Sequence, residues 1–292
     1  MFRGTFTALV TPFADNAVDE AAFQRLIENQ ITGGVTGIVP VGTTGESPTL
    51  THQEHLRVIE LAVQFAAGRC AVIAGTGSNS TAEAIEMTVE ASNIGADGAL
   101  LVAPYYNKPS QEGLYLHFKA LADSCDLPLV LYSIPGRCGV AIEASTVGRL
   151  ASDCPTIVGI KEAGGDVNRV SALRAQVPET FDILSGDDGL TLPFMAAGAH
   201  GVISVASNLI PGEVANLVST YGYGDTAKAL EIHERLYQLF KDLFIEPNPV
   251  PIKTALAWAG QMNADVRLPL CGMTESNAER LRNTLESLNL IP

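Results

Sequence analysis

The sequence is short of charge, and above all of positive charge. Asp, Glu, Lys and Arg make up only 17% of its 292 residues, against about 25% in an average globular chain. The 18 Lys and Arg face 32 Asp and Glu, for a formal net charge of −14. A field of that sign repels phosphate backbones and anionic lipid headgroups, so neither nucleic acid nor a membrane surface is expected as a partner. A small anionic substrate has to be met locally, by individual cations and backbone N–H groups. Cysteine is also scarce: Cys70, Cys125, Cys138, Cys154 and Cys271 are odd in number, widely spaced and free of any Cys-x-x-Cys pair. That spacing argues against a zinc ribbon or a complete disulfide framework, and a cytoplasmic location is expected. The N-terminal stretch 1–13 lacks an apolar run long enough for a secretory leader. The uncharged stretch 189–212 is long enough to cross a bilayer, but four glycines, two prolines, His200 and Asn208 interrupt it, and it reads as helix, turn and buried strand. With 47% apolar residues the chain can fill a large core, which excludes disorder.

What is present is a repeat of short Val/Ile/Leu-rich runs, each followed by a helical pattern. Eight runs lie near 4–11, 37–41, 70–75, 99–103, 129–132, 157–161, 181–185 and 202–206. Runs that are continuously apolar rather than alternating are covered on both faces, as in parallel sheets with helical crossovers. Helix starts carry capping-box pairs, Thr51 with Glu54 and Ser80 with Glu83. A closed barrel and an open doubly wound sheet both fit this alternation, and the number of units favours closure. The expected fold is a (β/α)8 TIM barrel with a C-terminal helical extension. Three further helical patterns follow the eighth run, at 228–244, 252–262 and 276–290, with the Pro-rich segment 246–251 breaking the first from the second. They read as the helix closing the eighth unit plus the extension, dividing the chain into a barrel, 1–225, and a closing helix with extension, 226–292.

In such a barrel, chemistry gathers at the C-terminal ends of the strands. Lys161 ends the apolar run Ile157-Val158-Gly159-Ile160, where partial desolvation would lower its pKa toward the free amine that attacks carbonyls. Of the six lysines it alone closes a core run; a lysine that merely leaves the sheet and snorkels to water is the competing reading. Tyr132 closes the neighbouring run, where a phenol could shuttle protons or simply pack. Thr43 and Thr44 stand between glycines, offering hydroxyls and approachable N–H groups to a small carboxylate, or forming an ordinary Gly-rich turn. Arg137, after Pro135-Gly136, is a carboxylate fork or an idle loop arginine. His52 and His55 have metal-like spacing but no His-Glu-x-x-His context and no third ligand nearby, so no metal is expected. Asp187 and Asp188, adjacent on an extended segment, point to opposite faces and read as a helix cap rather than a catalytic pair.

Gly42-Thr43-Thr44-Gly45-Glu46, Tyr132-Ser133-Ile134-Pro135-Gly136-Arg137 and Gly159-Ile160-Lys161-Glu162-Ala163 resemble the motifs of the pyruvate-dependent class I aldolase superfamily. The superfamily includes N-acetylneuraminate lyase and 2-keto-3-deoxy sugar acid aldolases. Arg137 after Ile-Pro-Gly, with Tyr-Tyr-Asn-Lys-Pro at 105–109, is similar to the narrower signature of the 4-hydroxy-tetrahydrodipicolinate (dihydrodipicolinate) synthase family, and the likeness spans essentially the whole chain. It implies a lyase in which Lys161 forms an imine with pyruvate, whose enamine attacks L-aspartate 4-semialdehyde, a step of diaminopimelate and lysine biosynthesis. No metal or organic cofactor is implied. Thr43, Tyr132 and Tyr106 would form a proton relay, Tyr106 reaching in from a neighbouring subunit of a homotetramer built as a dimer of dimers. Thr44 would hold the pyruvate carboxylate and Arg137 that of the semialdehyde, while Gly186 and Ile203 would shape the space around Lys161. Ser47, His52, His55, Asn79, Glu83 and Tyr105 match an inter-subunit pocket for L-lysine, the feedback inhibitor.

Two departures touch the Arg137 loop: Ser133 stands where the family usually has Asn, and Cys138 where it usually has Thr. The resemblance leaves a sugar-acid aldolase as an alternative activity. A keto-acid-binding barrel without catalysis is the non-enzyme alternative, opposed by the joint presence of Lys161, Tyr132 and Thr43.

Overall fold

The structure, a computed structural model, describes residues 1–291. Eight parallel strands close into a barrel: β1 (Gly4–Ala8), β2 (Gly37–Val39), β3 (Ala71–Gly75), β4 (Gly98–Val102), β5 (Leu129–Ser133), β6 (Ile157–Glu162), β7 (Asp182–Ser185) and β8 (Gly201–Ser204), with β8 pairing back onto β1. Each expected apolar run is therefore a strand, trimmed at the first, second, third and seventh runs, shifted by one residue at the fourth, shifted and trimmed at the eighth, and one residue longer at the fifth and sixth. One set of side chains fills the barrel, including Phe6, Val39, Ile73, Leu100, Val130, Tyr132, Leu184 and Ile203. The other set, such as Ile38, Val72, Leu131, Ile160 and Ile183, packs outward against the helices. Both faces are dry, which is why these strands read as unbroken apolar runs. Closure requires Gly201: at φ +143° it lies so close to β1 that a Cβ would sit 1.9 Å from the Gly4 carbonyl oxygen.

The surrounding helices are α1 (Glu20–Thr32), α2 (His52–Ala66), α3 (Thr81–Ile94), α4 (Gln111–Ala122), α5 (Ala144–Asp153), α6 (Asn168–Arg174), α7 (Thr191–Ala196) and α8 (Pro211–Gly222). Thr51 and Glu54 form the reciprocal capping box at α2. At α3 the expected box is only half made. The Ser80 hydroxyl accepts from the Glu83 N–H, but the Glu83 carboxylate binds Ser78 and His52 instead of reaching back.

A second correction concerns the end of the barrel. The helix that closes the eighth unit is α8, which begins with Pro211 at its first position, where proline costs no hydrogen bond. The segment expected to close it is instead the first element of the extension, α9 (Thr226–Asp242), followed by α10 (Val250–Trp258) and α11 (Glu275–Ser287). The extension is tied down by polar contacts: the buried Asp242 accepts from Thr284 at 2.7 Å and pairs with Arg280, and Glu246 accepts from Thr274 and Asn277. The chain between α9 and α10 passes beside the barrel mouth. A small antiparallel hairpin, Phe13–Ala14 with Ala17–Val18, follows β1 through an Asp15-Asn16 turn with both residues at positive φ, as a tight hairpin of this hand requires. The apolar run 4–11 predicts a longer first strand than Gly4–Ala8 and gives no sign of this turn.

Candidate active site

The residues at the mouth come from the C-terminal ends of several strands. Lys161 on β6 and Tyr132 on β5 are register partners in the parallel ladder. Both side chains face the barrel interior, and the Lys161 amine lies 4.3 Å from the centre of the Tyr132 ring. Lys161 is 6% exposed, so the snorkelling alternative does not hold. Burial lowers its pKa to about 8, with the Asp188 carboxylate pulling it back up and the Arg137 guanidinium pushing further down. At neutral pH this leaves a minority of the lysine as free amine, the form that attacks a carbonyl, where an ordinary lysine has almost none. Burial raises the Tyr132 phenol to about 12, against the opposing pull of Arg137. It therefore stays protonated at ordinary pH.

Strand β2 leads into the Gly42–Glu46 loop. The loop is bracketed by two non-glycine residues in left-handed backbone, Val41 at φ 50° and Glu46 at φ 56°. For a β-branched residue this is an outlier costing about 1–3 kcal/mol, and it persists only where neighbours hold it. They do so here. Thr11 donates to the Gly45 carbonyl at 2.7 Å, and the buried Glu46 carboxylate is met by Lys253 of α10 at 2.6 Å and by the Arg267 N–H at 3.0 Å. Thr43 lines the cavity at the mouth. Thr44 is buried, and its hydroxyl accepts from the Asn248 side-chain amide at 2.9 Å. Because that bond uses a lone pair of the hydroxyl, the Thr44 proton is free to donate to an anion. The Asn248 carbonyl in turn accepts from Arg137 at 3.4 Å, while its side-chain Oδ1 is buried without a protein partner.

Gly186, just past β7, lies against the lysine. A Cβ there would meet the Ala163 methyl at 2.6 Å and Lys161 Cε at 3.0 Å. Ile203 is fully buried in the interior layer that holds Tyr132. The adjacent aspartates divide as the extended geometry demands: Asp187 caps the short turn at 188–190, whereas Asp188 is buried and accepts from Ser204 and from the Val205 and Ala206 N–H groups. The sequence reading missed Asp188 as the carboxylate biasing Lys161; its burial was not visible from its neighbours. Asn248, Lys253 and Asp188 are all additions made by the fold. Of the departures noted above, the Ser133 hydroxyl accepts from the Ile142 N–H, and Cys138 is buried beside Arg137, where burial raises its thiol to about 11.

A cavity of about 420 Å³ runs from Thr43, Arg137 and Cys138 outward to Ser47, His52, His55, Glu83 and Tyr105. Five of the six residues matched to a lysine pocket thus share one wall system, and the sixth, Asn79, binds the Tyr105 carbonyl through its amide. Glu83 accepts from Ser78 and pairs with His52 at 2.8 Å, contacts that hold its carboxyl below the usual range. His55 bonds the Gly75 carbonyl, and burial lowers its pKa. The histidines are thus engaged by a carboxylate and a carbonyl, and the described residues include no group of three His, Cys, Asp or Glu spaced to hold a metal. Tyr106 is the outlier of the predicted set. It is 90% exposed, at φ 70°, and is not among the residues lining its own chain's cavity.

A buried amine and a phenol at the mouth of a (β/α)8 barrel, flanked by threonine hydroxyls and an arginine, define a barrel suited to lysine–carbonyl chemistry. Residues 1–288 match the Dihydrodipicolinate synthetase family, and the chain belongs to that family. It is 52% identical over 291 residues, all of both chains, to the 4-hydroxy-tetrahydrodipicolinate synthase of Endomicrobium trichonymphae. The structure of that enzyme from Methylacidiphilum fumariolicum SolV superposes with a TM-score of 0.98 at 54% identity, covering 99% of this chain and 96% of that one. A dihydrodipicolinate synthase from Cyanidioschyzon merolae with lysine bound superposes with a TM-score of 0.96 at 41% identity, covering 99% of each chain. No helix among the described residues is long and apolar enough to cross a membrane.

Proposed function

We propose that the protein condenses pyruvate with L-aspartate 4-semialdehyde as a 4-hydroxy-tetrahydrodipicolinate synthase. The observation that carries the reading is the Lys161 amine, buried beside Tyr132 with its pKa lowered to about 8. The neutral amine attacks the pyruvate ketone and water leaves, giving an imine on Lys161. Loss of a methyl proton gives the enamine, which attacks the aldehyde carbon. The amino group brought by the second substrate then displaces the lysine amine and closes the ring. Lysine is the electron sink throughout, so no metal or organic cofactor is required.

Thr44 and neighbouring N–H groups suit the pyruvate carboxylate, and Thr43, Tyr132 and a partner's Tyr106 suit proton transfer to and from the carbinolamine. The second substrate is an α-amino acid, whose carboxylate fits Arg137 and whose ammonium fits the open acceptor of Asn248 beside it. Polyhydroxylated sugar acids do not need that pair. The exposed Tyr106 favours assembly, for which a homotetramer is proposed, in the cytoplasm. The Glu83 carboxylate, open on one side to the cavity, suits the ammonium of L-lysine as inhibitor.

The test is borohydride reduction of protein incubated with pyruvate, read by intact mass, with Lys161→Ala alongside. A lactyl-sized adduct on the wild type alone, together with semialdehyde-dependent consumption of pyruvate, supports the reading. Absence of the adduct removes it, and an adduct without semialdehyde turnover moves the activity to a sugar-acid aldolase.

A further inference from the structure

The Gly42–Glu46 loop is held in a strained shape by groups that lie more than 200 residues away in sequence. Lys253 is completely buried. It bonds Glu46 at 2.6 Å and the Thr11 carbonyl at 2.9 Å, and it sits 4.2 Å above the centre of the Phe13 ring. Thr11 itself donates to Gly45, so Lys253 grips the loop both directly and through its neighbour. Glu46 takes its second bond from the Arg267 N–H, and the Arg267 guanidinium is anchored in turn by Glu54. Two residues before α10 begins at Val250, Asn248 holds Thr44 by its amide and Arg137 by its carbonyl.

A carboxylate buried for packing alone would not need a left-handed residue to carry it. Here the turn at Glu46 is what presents Thr43 and Thr44, since the Glu46 N–H bonds the Thr43 carbonyl across it. We propose that Lys253 and Asn248 are positioning residues of the pyruvate subsite: through Glu46 and Thr44 the C-terminal extension fixes the two threonine hydroxyls and fixes which of them can donate to the keto-acid carboxylate. The extension is thereby part of the substrate site although none of its helices carries a reacting group. The inference rests on the pyruvate-imine reading above.

The test uses the full-length protein with Lys253→Met combined with Glu46→Gln, and Asn248→Ala separately. Removing both members of a buried ion pair is often neutral for stability, whereas removing one strands the other; the double variant therefore separates positioning from folding. Melting temperature, borohydride trapping at varied pyruvate, and steady-state kinetics with each substrate varied are measured together. The expected result is a near-wild-type melting temperature with the pyruvate KM raised about tenfold in both variants and the pyruvate dependence of trapping shifted by the same factor. A pyruvate KM within about twofold of wild type in the folded double variant overturns the proposal. If the double variant does not fold, Asn248→Ala decides in the same terms. Failure of wild-type trapping would instead remove the functional reading itself.

Discussion

Lys161 and Tyr132 stand opposite each other on β6 and β5, the amine 4.3 Å from the ring centre. The contact places a cation over an aromatic face, which favours the ammonium, yet burial outweighs it and lowers the lysine to about 8. The two strands thus hold a readily deprotonated lysine beside a phenol that stays neutral.

That balance predicts the pH dependence of the first step. The rate of imine formation at limiting pyruvate should rise with pH and level off above about 8, as the amine is freed. The stability effect has the same direction. The unfolded lysine holds its proton to about 10.5 and the folded one only to about 8, so between these values the unfolded state binds more protons and stability increases with pH. Below about 8 the full penalty applies. Lys161→Met should therefore lose the adduct and gain on the order of 1–3 kcal/mol of stability at pH 7, a gain that fades by pH 10.5. Denaturant titrations across that pH range check it; a destabilised variant at pH 7 would contradict the assignment.

Tyr132→Phe keeps the ring, and with it the packing of the interior layer, while removing the hydroxyl. The expected loss is about 100- to 10,000-fold in kcat, the range for a general acid–base group. Adduct mass after long incubation with pyruvate and borohydride should be unchanged, because Lys161 is still present. Rapid-quench trapping gives the rate and the end point in one experiment.

Gly186→Ala tests how tightly the lysine is held. The new methyl would sit 2.6 Å from the Ala163 methyl and 3.0 Å from Lys161 Cε, closer than carbon atoms pack. Either the Ala163 loop moves or the lysine rotates away. A fall in kcat of about 100-fold or more, the cost typical of small displacements at a reacting centre, is expected with a cooperative thermal transition retained. Full activity would show that the loop yields freely.

The strands and the reacting pair were legible in the sequence for one physical reason. A strand covered on both faces is an unbroken apolar run, and a Lys or Tyr closing such a run is conspicuous. Asp188 was not, because its burial depends on the Ser204–Ala206 turn, which no local pattern connects to it. Lys253 and Asn248 were invisible for the same cause on a larger scale: their partners Glu46 and Thr44 lie 207 and 204 residues away. The closing helix α8 was missed because Pro211 and Gly212 read as punctuation, although proline at the first helical position starts a helix as well as ending one. At α3 the capping box failed because Glu83 was already engaged by Ser78 and His52.

Arg137→Ala separates the two carboxylate sites. Among the described residues the Arg137 guanidinium makes one hydrogen bond, to the Asn248 carbonyl at 3.4 Å, and no ion pair, so its loss leaves no buried partner charge behind. The KM for L-aspartate 4-semialdehyde should rise by about 10- to 100-fold, the worth of a charge-assisted bond of about 1.5–3 kcal/mol. Pyruvate adduct formation should be retained but slowed near neutral pH, because losing the Arg137 charge that helps push Lys161 down leaves less free amine. Equal losses for both substrates would show that Arg137 acts on the imine site itself.

The unfinished cap at α3 gives the last prediction. A Glu83 that completed its capping box would be turned back on its own helix; instead it faces the cavity with Ser78 and His52, its carboxyl held ionised below the usual range. An ionised carboxylate beside the Tyr105 wall is a site for an ammonium, and the zwitterion L-lysine carries one at each end. Calorimetry should detect lysine binding to the wild type, weakening by about tenfold or more in Glu83→Gln, where the hydrogen bond survives but the charge does not. Because the site depends on that charge, binding should also weaken as the pH falls into the carboxylate range, with the loss displaced below the ordinary Glu value by the Ser78 contact. Lysine binding to Glu83→Gln with undiminished affinity would assign the ammonium to another group.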